Sequence, residues 1–125
     1  MKTNLQTLQF KDGVTFKHGH FQPHVTAIIT AALETAPLMK DGCVVITQAY
    51  RKIRDTLDFH ELMAAFDFRC KDIVVSETQT AALLNLQDIG RQWADRMRAK
   101  LGPDYDCIAH GSGDSFHLHV EFDPR

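Results

Sequence analysis

The sequence Phe116-His117-Leu118-His119-Val120-Glu121-Phe122 alternates strictly between apolar and polar residues. Successive side chains of a β-strand point to opposite faces of the sheet, so this period predicts a strand with one apolar and one polar face. The apolar set is expected to pack in the core. The polar set, His117, His119 and Glu121, is expected to face a site.

A second alternating segment supplies a carboxylate to the same kind of face. In Ala65-Phe66-Asp67-Phe68-Arg69 the aromatic residues alternate with Asp67, and His60 stands seven residues before that aspartate. A helix would separate positions seven apart by roughly 10 Å, too far for two ligands of one metal, so we expect His60 on a loop that leads into the strand. A catalytic zinc takes three nitrogen or oxygen ligands and keeps a fourth position for water. The two segments therefore form a candidate zinc site.

The remaining segments predict an α+β domain. The expected elements are a short strand around Val14-Thr15-Phe16, a helix over 23–36, strands over 44–47 and 105–109, and a long helix over 76–101 with Ser76 and Gln79 as its capping box. We expect a single domain over residues 1–125, with its helices packed on one face of a mainly antiparallel sheet.

Composition narrows the classes of function. A chain of 125 residues, 44% hydrophobic, has the size of one ordinary domain. Its 14 Lys and Arg against 16 Asp and Glu give a net charge of −2, which argues against a nucleic-acid partner because such proteins usually carry a broad positive field. No segment resembles a signal peptide or a membrane span, so we expect cytoplasmic synthesis as a soluble chain without a membrane partner.

Cysteines are poor candidates for function in this sequence. Cys43, Cys70 and Cys107 are odd in number and widely spaced, which predicts neither a disulfide framework nor a thiolate zinc site. We expect all three to be small buried residues rather than nucleophiles.

Two further patterns compete for the metal. His18, His20 and His24 cluster in a segment whose Gly19 and Pro23 indicate a turn. The cluster lacks flanking apolar alternation, and we expect no zinc there. The helical zinc signature His-Glu-x-x-His is also absent, because alanine stands at its second histidine position, Ala64.

Three motifs together resemble a known family. They are Thr47-Gln48-Ala49-Tyr50-Arg51, then His60-Glu61-Leu62-Met63-Ala64-Ala65-Phe66-Asp67, then His117-Leu118-His119-Val120-Glu121. Their order and spacing resemble those of the zinc D-Ala-D-Ala carboxypeptidase and endopeptidase family, whose phage members act as endolysins. The resemblance covers roughly residues 43–125.

The resemblance implies a set of roles. His60, Asp67 and His119 would bind Zn²⁺, and Arg51 would bind a carboxylate or carbonyl of the peptide, with Arg54 as its closest competitor. The implied activity is hydrolysis of an amide bond in peptidoglycan stem peptides, of D-Ala-D-Ala carboxypeptidase or L-Ala-D-Glu endopeptidase type. Such a protein would act on the cell wall when released or when carried by a phage particle.

The general base is where the sequence departs from the family pattern. Family members commonly carry Glu or Asp three residues before the final zinc-binding histidine, and Phe116 occupies that place here. His117, on the same strand face as His119, is the favoured base, and Asp114 in the preceding turn is the alternative. Glu121 is expected to support a ligand histidine. The departure also leaves a second function open, a catalytically silent zinc-binding domain that is a structural or cell-wall-binding phage protein.

Overall fold

The computed structural model describes residues 6–14, 23–49, 65–75 and 85–123. Their elements, in chain order, are β1 (Thr7–Phe10), α1 (Pro23–Thr35), β2 (Cys43–Gln48), β3 (Ala65–Arg69), α2 (Leu86–Leu101), β4 (Tyr105–His110) and β5 (His117–Phe122). The strands form one sheet in the order β1-β2-β3-β5-β4. Only β1 and β2 run parallel among these neighbours. The α+β class and the mainly antiparallel sheet are confirmed.

The register of β3, β5 and β4 aligns polar residues in rows across the sheet. Asp67 lies opposite His119, and Arg69 lies opposite His117. On the other side of β5, His110 lies opposite His117. Side chains opposite each other in an antiparallel pair point to the same face, so the sheet gathers these groups at one place.

Apolar residues of the same strands build the core on the opposite face. Phe66, Phe68, Leu118 and Val120 are fully buried there. The alternation predicted for 116–122 is thereby confirmed, with β5 beginning at His117 and Phe122 half-buried.

Helix α2 packs on β4 and β5, and α1 contacts α2. The expected single helix over 76–101 is wrong, because Asn85 is extended and forms with Asp88 the capping box that begins α2 at Leu86. Ser76 and Gln79 lie outside the described residues.

No helix in the described ranges is long and apolar enough to cross a membrane. Packing of both helices on one face of the sheet stays a prediction.

Strand β1 was not predicted from the sequence. It is four residues long, and only Leu8 among its residues packs against the core. The strand expected around Val14 is not found at that residue, which follows a turn at Asp12 and Gly13, while residues 15 and 16 lie outside the described ranges.

A glycine in α2 permits close packing on β5. An added Cβ at Gly90 would lie 2.5 Å from Cε2 of Phe116, whose ring is buried. Overpacking of this kind costs roughly 1–3 kcal/mol, and the better helix propensity of alanine returns about 1 kcal/mol at most. We therefore expect Gly90→Ala to lower the free energy of unfolding, measured by urea denaturation. Adding Phe116→Leu, which removes the clashing ring, should recover part of the loss, and a fully additive double variant would contradict this account.

Candidate functional site

His119 joins two carboxylates at the centre of the polar face. Its Nδ1 lies 2.7 Å from Oδ1 of Asp67, and its Nε2 lies 2.7 Å from Oε1 of Glu121. Burial lowers the pKa of His119, but hydrogen bonds and charge from Asp67 and Glu121 outweigh it, so that the pKa rises above its usual value. The geometry fits an imidazolium that donates from both ring nitrogens.

His117 has a different hydrogen-bond pattern. Its Nδ1 lies 2.8 Å from the carbonyl oxygen of Ser115, and because a carbonyl oxygen only accepts, Nδ1 carries the proton. The lone pair is then on Nε2, which lies 3.7 Å from Oδ1 of Asp67. A histidine that donates one N–H to a backbone carbonyl and presents its other nitrogen is the usual arrangement of a metal ligand.

An open cleft of about 230 Å³ lies beside these groups. Its lining includes Asp67, His117 and Asp114, whereas His119 is not among the lining residues. Among the acid–base candidates, His117 and Asp114 therefore share the space that a substrate can enter.

A short 3₁₀ turn over Gly113–Ser115 carries Asp114 into the cleft. The Ser115 amide donates to the Ser112 carbonyl at 3.0 Å, and the Ser115 hydroxyl donates to the same oxygen at 2.6 Å. Gly111, with φ of 100°, lets the backbone fold tightly against this turn, since a Cβ there would lie 2.7 Å from the Ser115 carbonyl oxygen. Local hydrogen bonds thus fix the backbone of the turn that places Asp114 at the cleft.

His110 is a neighbour that the sequence reasoning missed. Its ring centroid lies 4.3 Å from that of His117 and 6.0 Å from that of His119. Burial lowers its pKa first, and the two neighbouring histidines lower it further, against an opposing effect of Asp67. Alternation along Tyr105–His110 could have placed His110 on the polar face, but only the β4–β5 register brings it beside His117.

The predicted site residues divide into those that are described and those that are not. Asp67, His117 and His119 lie on the polar face of β3 and β5, and Asp114 lies in the turn before β5. The other predicted residues, His60, Arg51, Arg54, His18 and His20, lie outside the described residues. His24 stacks on Phe122 at a centroid distance of 4.9 Å.

Glu121 also belongs to a group of carboxylates. Among the described residues, Asp106, Glu121 and Asp123 form a cluster whose oxygens lie within 4.8 Å of one another. Three carboxylates without a nitrogen or sulfur ligand suit a hard cation better than zinc.

The structure argues against Cys70 and Cys107 as nucleophiles. Cys70 and Cys107 are buried as expected, whereas Cys43 is only half-buried. Burial raises the pKa of Cys70 to about 12 and that of Cys107 to about 11, so both remain thiols at neutral pH.

This difference predicts the labelling of the native protein. At pH 8 a maleimide should modify Cys43 alone, because Cys70 and Cys107 are shielded and protonated. In denaturant all three should react. Mass spectrometry of the labelled chain counts the adducts, and rapid native labelling of either buried cysteine would contradict the packing described above.

Comparison of the chain with protein-family models, curated proteins and solved structures found no significant match.

Proposed function

We propose that this protein is a zinc-dependent peptidase that hydrolyses an amide bond in peptidoglycan stem peptides. The observation that carries the proposal is the arrangement of His117. Its Nδ1 proton is held by the Ser115 carbonyl, and its Nε2 shares the cleft with the carboxylates of Asp67 and Asp114.

The geometry favours His117 over His119 as the histidine ligand from β5. Both ring nitrogens of His119 contact carboxylates, so a metal would reach that ring only by displacing Asp67 or Glu121. The Nε2 of His117 needs no such displacement. We therefore propose Asp67 and His117 as ligands, with His60 as the third, and this choice moves to His117 the ligand role that the resemblance gave to His119.

With His117 as the ligand, the general base also has the spacing of the family, three residues before the zinc-binding histidine. Phe116, three residues before His119, is 2% exposed and belongs to the core, so its position cannot present a base to the polar face. Asp114 stands three residues before His117 and lines the cleft. Two independent features, hydrogen bonding and spacing, thus favour His117 as ligand and Asp114 as base.

His119 then becomes a positioning residue. Its Nδ1 donates to Asp67 and its Nε2 to Glu121, so the ring fixes the orientation of the Asp67 carboxylate. Partners of this kind hold a ligand in place without contacting the metal.

The chemistry divides between the metal and the chain. Zinc, when bound, would activate water and polarise the scissile carbonyl. Asp114 accepts the proton of the attacking water at its carboxylate and passes it to the leaving amine. Arg51, which lies outside the described residues, is proposed to bind a carboxylate of the peptide through its planar fork. The protein would meet its substrate when released or when carried by a phage particle.

A catalytically silent zinc-binding domain is the competing proposal. Its support was Phe116, which occupies the base position when His119 is the ligand. That support weakens if His117 is the ligand, because Asp114 then occupies the base position. Elemental analysis of the purified protein, followed by mass spectrometry of muropeptides incubated with it, separates the two. Zinc with a cleaved stem supports the peptidase, zinc without cleavage favours the silent domain, and absence of metal contradicts both.

A further inference from the structure

Three cations line the cleft that holds Asp67, Asp114 and His117. They are Lys11, Arg69 and Lys71. In a chain of net charge −2 this is a local excess of positive charge. In the proposed chemistry Asp67 binds the metal and Asp114 accepts the proton of the attacking water. The three cations have no role in these steps.

The cations come from different segments that the sheet brings together. Arg69 lies opposite His117 in the β3–β5 register, and Lys71 follows in the turn after β3. Lys11 follows β1, where its backbone amide donates to the carbonyl of Ile46 at 2.9 Å. We call Lys11, Arg69 and Lys71 the basic wall.

Arg69 is held in place without being fully neutralised. Its Nη1 lies 3.6 Å from Oδ2 of Asp72, and both side chains are about a quarter exposed. A guanidinium has five N–H donors in a planar fork, so this long contact leaves donors available for another carboxylate.

A second hollow continues the cleft along the sheet. Its volume is about 290 Å³, and it shares Lys11 and Arg69 with the first. Gln9 and Val45 also line it, so the continuation runs across β2 to the edge strand β1. Two residues of the basic wall, Lys11 and Arg69, therefore line both the proposed reaction site and the open hollow beside it.

We infer that the basic wall binds a carboxylate of the substrate beside the scissile amide and so selects acidic stem peptides over amidated ones. This inference rests on the proposed function for the identity of the peptide. Arginine and lysine form their strongest hydrogen bonds with carboxylates, whereas a carboxamide carries no charge for them to neutralise. The carboxylate belongs either to an internal glutamate or to the C-terminus of the peptide.

Binding of matched peptides tests the inference. The probes are a stem tetrapeptide with free carboxylates, the same peptide amidated at its internal glutamate, and the same peptide amidated at its C-terminus. Titration calorimetry uses zinc-loaded Asp114→Asn protein, which should turn the peptides over at least roughly a hundredfold more slowly than the wild type. We expect the free acid to bind roughly tenfold more tightly than one of its two amidated twins, and the carboxylate of the basic wall is the one whose preference is reduced in the charge variants below.

Charge variants then locate the effect. Arg69→Gln and Lys71→Gln, each added to that background, should reduce the preference for the free acid by about fivefold. Arg69→Lys should retain part of it. Lys40→Gln is the matched control, because Lys40 is exposed and is not among the lining residues of either hollow, and it should leave the preference unchanged. Thermal unfolding of each variant checks the fold.

The outcomes separate this inference from the proposed function. Equal binding of all three peptides, or a preference that survives Arg69→Gln and Lys71→Gln, overturns the basic wall. Hydrolysis of the acid and amidated peptides at the same rate by the wild-type protein would also contradict the role of the basic wall, but it would support the proposed peptidase activity. Preference for the free acid without hydrolysis by the zinc-loaded wild type keeps the basic wall and removes the peptidase.

Discussion

Replacement of Asp114 by Asn should reduce turnover of a stem peptide by a hundredfold or more, about 2.7 kcal/mol of transition-state stabilisation. The reason is that asparagine keeps the size and the place of the side chain in the Gly113–Ser115 turn but cannot accept the proton of the attacking water. Zinc content and thermal stability should stay at wild-type values, since Asp114 is exposed and is not a proposed ligand. Steady-state kinetics with elemental analysis measure both quantities.

Two further variants make this result specific. Asp114→Glu should keep more activity than Asp114→Asn, because it retains a carboxylate. Asp41→Asn removes an exposed carboxylate elsewhere and should have no effect. If Asp114→Asn keeps near-normal turnover while His117→Gln keeps zinc and loses turnover, the base is His117, as first expected from the sequence.

The second large effect is expected on zinc affinity. His117→Ala should lower it by more than the roughly 10–100-fold that loss of an outer partner costs, because a ligand nitrogen is removed. His119→Ala should fall within that range, because Asp67 remains but loses the ring that orients it. Competition with a chromophoric chelator measures both constants.

The comparison between these two variants decides the ligand from β5. His24→Ala is the matched control, since that ring stacks on Phe122 and should leave zinc binding unchanged. A larger loss of zinc affinity with His119→Ala than with His117→Ala would return the ligand role to His119 and the base role to His117.

Alternation in the sequence was enough to predict the strands that carry the site. Apolar residues at every second position gave β3 and β5, and the same pattern placed Asp67, His117 and His119 on polar faces. The stripe through Trp93 and Met97 likewise gave α2, whose end at Leu101 is confirmed.

Alternation could not predict which of the two β5 histidines is the metal ligand. His117 and His119 are equivalent in the alternation, and they differ only through contacts that depend on register and on the turn before β5. The His117 ring contacts the Ser115 carbonyl, while His119 lies opposite Asp67. The basic wall was missed for a similar reason, because Lys11 lines the same cleft as Arg69 only through the parallel pairing of β1 with β2.

Hydrolysis in water enriched with oxygen-18 shows whether the protein is a zinc-dependent peptidase. A defined stem peptide is incubated with the zinc-loaded protein, with the chelated protein and with the chelated protein after zinc is restored, and the products are weighed by mass spectrometry. We expect cleavage at one amide bond, with a single solvent oxygen in the new carboxyl group. Chelation should abolish this cleavage, and added zinc should restore it. An intact peptide under zinc saturation, or cleavage that chelation does not change, would contradict it.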